Sequence, residues 1–363
     1  MNKKILLIPV IALPLFLSSC SDKKVTLTFG TYINQEITSL KELSTSELYD
    51  HLYNNNETIL LAVYQGEYSN DCLCWPTFQN ILVTYMNKYH EQVYIYNAQE
   101  EDETISSLYI SKAEDSRPDL YIFEGKKQIN KFVYPKMQDN KIFTDTTAEY
   151  MYKQVHKYVT EPVMHYVDND YLEKRINDTK DNFTVAFIRE KCSDCSYVIP
   201  NVLIPYTKQH SLKNEILLFD LQSYYEMAKD DSLSEEDKSQ YQIIKDRYGL
   251  SEKGNSIYGY LNGVVPTMHY YENGSLKDAT VFFNDVVEQK DDGSYYVANS
   301  FYSEDRLVNL SYLKDTAAKT VLKDMEIKEG VMQTKSGDYY WAQEFAAKYH
   351  TPLLEAFLNY YCL

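Results

Sequence analysis

The sequence predicts an α/β protein built from two tandem units of one plan, each a mixed sheet flanked by helices. Three observations predict it. The same order of elements occurs twice along the chain. The runs Thr58–Tyr64 and Phe183–Ile188 are continuously apolar, as strands buried on both faces are. The 363 residues exceed one typical core and contain only 11 glycines and 10 prolines, so two globular bodies fit better than one body with a long linker. The predicted division is 1–19 as a signal segment, 20–24 as a short tether, 25–160 as the first unit, 161–325 as the second, and 326–363 as a C-terminal helical extension.

In the first unit Ser44-Thr45-Ser46-Glu47 has the spacing of a capping box and starts a helix to about Asn54. The strand Thr58–Tyr64 follows, then a cysteine-bearing loop, a helix over Trp75–Tyr89 and a strand over Gln92–Tyr96. After a short helix, Arg117-Pro118-Asp119 leads into a strand over Leu120–Phe123, a turn at Glu124-Gly125-Lys126, a strand over Ile129–Tyr134 and a helix over Thr147–Val159. In the second unit a helix capped at Asn169 or Asp170 precedes the strand Phe183–Ile188. Cys192-Ser193-Asp194-Cys195 then opens a helix to about His210, and Glu215–Asp220 is a strand. A charged helical insertion spans 222–258. Val265-Pro266-Thr267 leads into a strand, a turn at Glu272-Asn273-Gly274 and a strand at Ala279–Phe283. Helices are expected near 304–325 and 341–361. Strands alternating with helices and closed by a hairpin give an α/β order with a mixed sheet.

The N-terminus carries a separate signal. Asn2-Lys3-Lys4, the apolar run Ile5–Leu17 and Leu17-Ser18-Ser19-Cys20 have the basic, apolar and small-residue order of a secretory signal peptide. The apolar run is shorter than the roughly 20 residues a membrane span needs. The ending Leu-Ser-Ser-Cys resembles the lipobox of bacterial lipoproteins. That resemblance implies acylation of Cys20, which becomes the mature N-terminus, and a folded part held on the extracytoplasmic side of a bacterial membrane. The net charge of −17 becomes more negative by two once Lys3 and Lys4 are removed. Such a body is repelled by phosphate backbones and anionic headgroups, which argues against nucleic-acid binding.

The chemistry is carried by cysteine. A Cys-x-x-Cys at a helix start places the first sulfur against unpaired backbone N–H groups and the positive end of the helix dipole, which favours thiolate. The second cysteine, one turn in, can attack a mixed disulfide and release product. Zinc ribbons use the same spacing, but here the motif follows a buried strand and opens a helix, as the redox role requires. Pro200 lies five residues after Cys195, inside that helix, where proline bends the axis.

At these residues the second unit resembles the thioredoxin family. The run Gly263-Val264-Val265-Pro266-Thr267, its following strand and the Asn273-Gly274 turn are similar to the family's segment around its cis-proline. The resemblance implies two tandem thioredoxin-like domains, with Cys192 as attacking thiol, Cys195 as resolving thiol and Pro266 as the cis-proline against which a substrate chain pairs. The chain departs from the family between the cysteines, where Ser193-Asp194 stands, and in the preceding strand, where Ala186 occupies the place of a buried aspartate. Arg189 and Lys191 are expected to favour the thiolate and Asp194 to oppose it.

The first unit resembles thioredoxin less specifically. Cys72-Leu73-Cys74 stands where CxxC would, and Pro118 holds the cis-proline place by chain order. These three residues are a candidate second redox site; a degenerate domain that positions a partner is the alternative. Cys362 is either buried or paired with Cys72 or Cys74. The seven histidines lack ligand spacing, His269 reads as a packed strand residue, and acid runs such as Glu100–Glu103 lack a calcium-loop pattern. No metal or cofactor is expected.

The reading is a membrane-anchored thiol–disulfide oxidoreductase. Its expected partners are membrane lipid through Cys20, extracytoplasmic protein substrates and a membrane electron-donor protein. The alternative is a non-enzymatic thioredoxin-like lipoprotein that binds a partner and keeps a structural disulfide.

Overall fold

The computed structural model describes residues 23–65, 74–98, 118–133, 137–138, 141–142, 147–178, 180–251, 265–282, 287–289, 295–297, 306–307, 325–328, 331–334 and 351–363. Cys20, Cys72 and the segment expected to form a short helix before Arg117 lie outside them.

The first unit is a five-stranded sheet in the order Lys41–Glu42, Val93–Asn97, Thr58–Tyr64, Asp119–Glu124, Lys127–Val133. The first three strands run parallel and the last two antiparallel. Thr58–Val63 is fully buried because it is central and covered on both faces. One face packs the helix Cys74–Tyr89 through Phe78, Leu82 and Tyr85; the other packs Leu48 and Leu52. Ser44 closes the capping box with Glu47, and the helix it starts ends in a π-turn over Asp50–Asn54. The turn between the last two strands needs Gly125, whose φ is +54° and whose missing side chain leaves room for Asn56. The final helix, Ala148–Val155, is shorter than expected, since Val159–Thr160 leaves it to pair with Val25–Thr26.

The second sheet repeats that order. Met164–Val167, Ile216–Asp220, Asn182–Ile188, Thr267–Glu272 and Ser275–Val281 follow one another, the first three parallel and the last two antiparallel. Both units therefore have the thioredoxin strand order, and the chain is a tandem thioredoxin-like α/β protein. The insertion is helical at Gln222–Met227 and Glu235–Arg247.

The chain departs from the expected division in three places. Gly30–Tyr32 lies within the span assigned to the first unit but extends the second sheet, pairing parallel with His165–Val167. Gly30 permits this close approach, because a Cβ there would lie 2.1 Å from His165 Nδ1. At the other end, the helix Thr351–Tyr361 is no separate extension. Leu354, Phe357, Leu358 and Cys362 are buried in the second core. Within the spans expected to be helical, Arg306–Leu307 is a strand, and Met325–Lys328 pairs with Val331–Thr334. Met325 and Ile327 alternate with Glu326 and Lys328, a period of two that suits a strand better than a helix. No helix among the described residues is long and apolar enough to cross a membrane.

Candidate functional site

The central strand Asn182–Ile188 delivers a short loop, Arg189–Lys191, to the start of the helix Ser193–Val198. Cys192 is the N-cap of that helix, with extended backbone (φ −86°, ψ 129°), so its sulfur faces helix N–H groups that have no intrahelical partner. The helix continues as a π-turn over Ile199–Leu203 and resumes at Ile204. Pro200 sits in the π-turn, where a changed hydrogen-bond register accommodates a residue without an N–H.

Across from the helix start, the Val265–Pro266 peptide is cis. The Cys192 Sγ lies 3.7 Å from the Val265 carbonyl oxygen and 3.8 Å from Asp194 Oδ2. Cys195 is fully buried, and its sulfur accepts the Arg189 backbone N–H at 3.3 Å. Cys192, Cys195 and Pro266 thus converge on one place. Both thiols are free, as is that of Cys362, which is buried beside Thr184 in the same core and joins neither Cys72 nor Cys74.

The two cysteines are electrostatically unequal. The Cys195 thiol, donating to Cys192, does most to pull the Cys192 pKa down to about 5. Burial opposes this, while the backbone N–H groups of Cys195 and Asp194 and the charge of Arg189 add to it. Burial first, and then the neighbouring Cys192, pushes the Cys195 thiol well above the ordinary range. Asp194 is raised to about 6, mainly by burial and then by Cys192. Cys192, at 9% exposed, is therefore the sulfur that ionises, and Cys195, at 0%, the one kept as a thiol.

The insertion helix Gln222–Met227 clamps the loop before Cys192. Tyr225 lies under the Arg189 guanidinium at 4.1 Å, Glu226 takes the Lys191 ammonium at 2.6 Å, and Gln222 accepts the Lys191 backbone N–H at 3.2 Å. Asp220, from the strand before it, accepts the Glu190 N–H. Lys191 was expected to favour the thiolate; its charge is instead turned outward to Glu226. Tyr225, Gln222 and Glu226 were not legible as site residues, because these contacts join segments some thirty-five positions apart.

In the first unit Cys74 opens the helix Cys74–Tyr89, and Trp75 next to it is buried and stacked on Tyr64 at 4.0 Å. Pro118 is buried directly before Asp119–Glu124, the place that Pro266 holds in the second sheet. Cys72 and Arg117 fall outside the described residues. His269 is fully buried, its ring 5.0 Å from Phe187, and packs as a strand residue. Among the described residues no group of three metal-ligating side chains occurs.

No protein-family model matches this sequence, and no curated protein matches it. Among solved structures it is similar to the bb fragment of ERp72, at 17% identity and a TM-score of 0.26, covering 54% of this chain and 80% of that one. It is also similar to zinc-bound human ERp44, at 14% identity and a TM-score of 0.25, covering 52% of this chain and 48% of that one. A third is the first two thioredoxin domains of Saccharomyces cerevisiae Eps1p, at 8% identity and a TM-score of 0.24, covering 69% and 94%. Likenesses of this size bear no weight for function. The thioredoxin-like assignment stands on the strand order and directions of the two sheets.

Proposed function

We propose that this chain is a lipid-anchored, extracytoplasmic thiol–disulfide oxidoreductase acting on protein disulfides or thiols through Cys192 and Cys195. The observation that carries the reading is the low-pKa Cys192 sulfur placed 3.7 Å from the carbonyl that precedes Pro266. A structural disulfide needs neither an ionised sulfur nor a client-pairing edge beside it.

In the reducing direction the Cys192 thiolate attacks one sulfur of a client disulfide. A Cys192–client bond forms, the client disulfide breaks, and the second client sulfur leaves as thiolate. The client strand pairs with the backbone beside Pro266 during this step. Cys195 then loses its proton and attacks the Cys192 sulfur. The Cys192–Cys195 disulfide forms, the Cys192–client bond breaks, and the client sulfur it held leaves as thiolate; both client thiolates are protonated. Two electrons pass from the cysteine pair to the client. Read backwards, the same steps oxidise client thiols.

Cys195→Ser should trap Cys192–client mixed disulfides on non-reducing gels, and Cys192→Ser should trap none. A pair that resists reduction until well below about −300 mV would instead assign a structural disulfide on a binding protein. The lipid anchor rests on the N-terminal sequence. Metabolic labelling with a fatty-acid analogue should mark the wild-type chain and not Cys20→Ala. Equal labelling of both would remove the anchor from the proposal.

A further inference from the structure

Between the two units lies a cleft of about 640 Å³ that the thiol chemistry does not use. Its walls come from both units, and on the second they include Glu190, two residues before Cys192, and the outer face of the CxxC helix and its π-turn at Ser196 and Ile199. The cleft is rich in carboxylates. Glu47, Asp50 and Glu57 enter from the first unit, and Glu190 and Asp220 from the second. Among the described lining residues, Lys41 and His51 alone offset them. Lys41 lies 3.7 Å from Glu190, and His51 Nδ1 lies 2.6 Å from Glu57. Carboxylates gathered along the two walls of one cleft concentrate a negative potential there.

The surrounding chemistry suits a long cationic side chain. Phe29, Tyr94 and Tyr166 supply aromatic walls, which take both the aliphatic stem and the charge of lysine or arginine. Thr31, only 4% exposed, also lines the cleft, and its hydroxyl has no hydrogen-bond partner. It is a buried polar group that a bound chain would satisfy. The carboxylates of both units act on one group here: after burial, Glu57, Asp220 and Glu190 each push the Tyr166 phenol upward.

We propose that this cleft docks a basic segment of the client chain beside its reacting cysteine; the assignment of clients rests on the oxidoreductase reading above. The Ser196 N–H donates to the Cys192 carbonyl at 2.9 Å, so the cleft wall begins one helical turn, about 5.4 Å, from the attacking cysteine. An extended client advances about 3.3 Å per residue. The recognised lysine or arginine therefore lies a few residues from the client cysteine. The first unit then has a task that needs no second redox pair: it supplies the other wall and three of the five carboxylates.

The test uses the intact chain and two fluorescently labelled, cysteine-free decapeptides, one carrying three arginines and the other three glutamates in their place. Because neither contains sulfur, anisotropy reads docking alone, and docking can fail while mixed-disulfide trapping succeeds, or the reverse. The basic peptide should bind at least about tenfold more tightly than the acidic one. Asp50→Asn combined with Glu190→Gln should weaken it at least about fivefold, while Glu236→Gln, on the exposed insertion helix, leaves it unchanged. Equal or absent binding of the two peptides overturns the proposal. So does an unaltered preference in the double variant, whose substitutions are isosteric and sit at exposed positions.

Discussion

The Arg189 guanidinium lies 4.1 Å above the ring of Tyr225. Arg189 directly follows the central strand of the second sheet and Tyr225 belongs to the helical insertion, so the contact ties an element outside the basic thioredoxin-like plan to the loop before Cys192. Arg189 lowers the Cys192 pKa, and Tyr225 holds Arg189. A cation–π contact of this kind contributes about 0.5–2 kcal/mol, and one pKa unit corresponds to about 1.4 kcal/mol. Tyr225→Ala should therefore raise the Cys192 pKa by roughly half a unit to one unit. Thiolate absorbance near 240 nm, followed against pH in the reduced chain, checks this; an unchanged midpoint would remove the insertion from the control of the thiol.

The largest influence on Cys192 is the Cys195 thiol. Cys195→Ser keeps a donor in that place and Cys195→Ala does not. The alanine variant should show the higher Cys192 pKa, with the serine variant between it and wild type. The rate of alkylation by iodoacetamide, measured from pH 4 to pH 9, separates the three. In wild type it should fall about tenfold per unit below pH about 5, where Cys192 takes up its proton, and level off above it. Profiles in both variants identical to wild type would mean that the Cys195 thiol adds nothing to the stabilisation of the thiolate by helix N–H groups and Arg189.

Asp194 works in the opposite sense. Burial and the neighbouring thiolate raise it from the ordinary aspartate value of 3.8 to about 6, so the folded chain holds this proton more tightly than the unfolded one. Its cost is absent below the unfolded pKa, grows between about 4 and 6, and is fully present above. Asp194→Asn should stabilise the reduced protein at pH 8 and leave it unaltered at pH 4. The same change should lower the Cys192 pKa, since a repelling carboxylate is lost. Urea midpoints at the two pH values decide the first point, and a destabilised variant at pH 8 would contradict it.

How far the sequence could be read depended on how local each signal was. The buried strands, the capping box at Ser44 and the CxxC helix start were legible because each lies within one short stretch. That Pro266 belongs to the same site as Cys192 rests in the sequence only on the likeness of the 263–274 run to thioredoxin, since no spacing rule joins positions so far apart. The Tyr225 clamp had no local signature at all. The burial of the helix Thr351–Tyr361 in the second core was hidden for the same reason. An amphipathic helix reports that it has an apolar face, and not which sheet covers it. Lys191 was misread because charge near a cysteine was visible while Glu226, which holds it, was not.

Gly30 is the residue on which the crossing strand depends. His165 Nδ1 and the His90 carbonyl occupy the space a side chain would need, at 2.1 and 2.7 Å from a Cβ. The carbonyl is backbone and cannot turn aside, and the His165 ring is held by its stack with Tyr32 at 4.2 Å. Gly30→Ala must therefore push Gly30–Tyr32 away from Met164–Val167, at a cost of about 1–3 kcal/mol for overpacking. Because that strand joins the segment before the first unit to the sheet of the second, the loss should appear in the urea midpoint. It should also appear as faster amide exchange at Thr31, whose N–H donates to the His90 carbonyl at 2.7 Å. Cys192, on the far side of the central strand, should keep its pKa. A variant with wild-type stability and exchange would show that the edge strand contributes nothing to holding the units together.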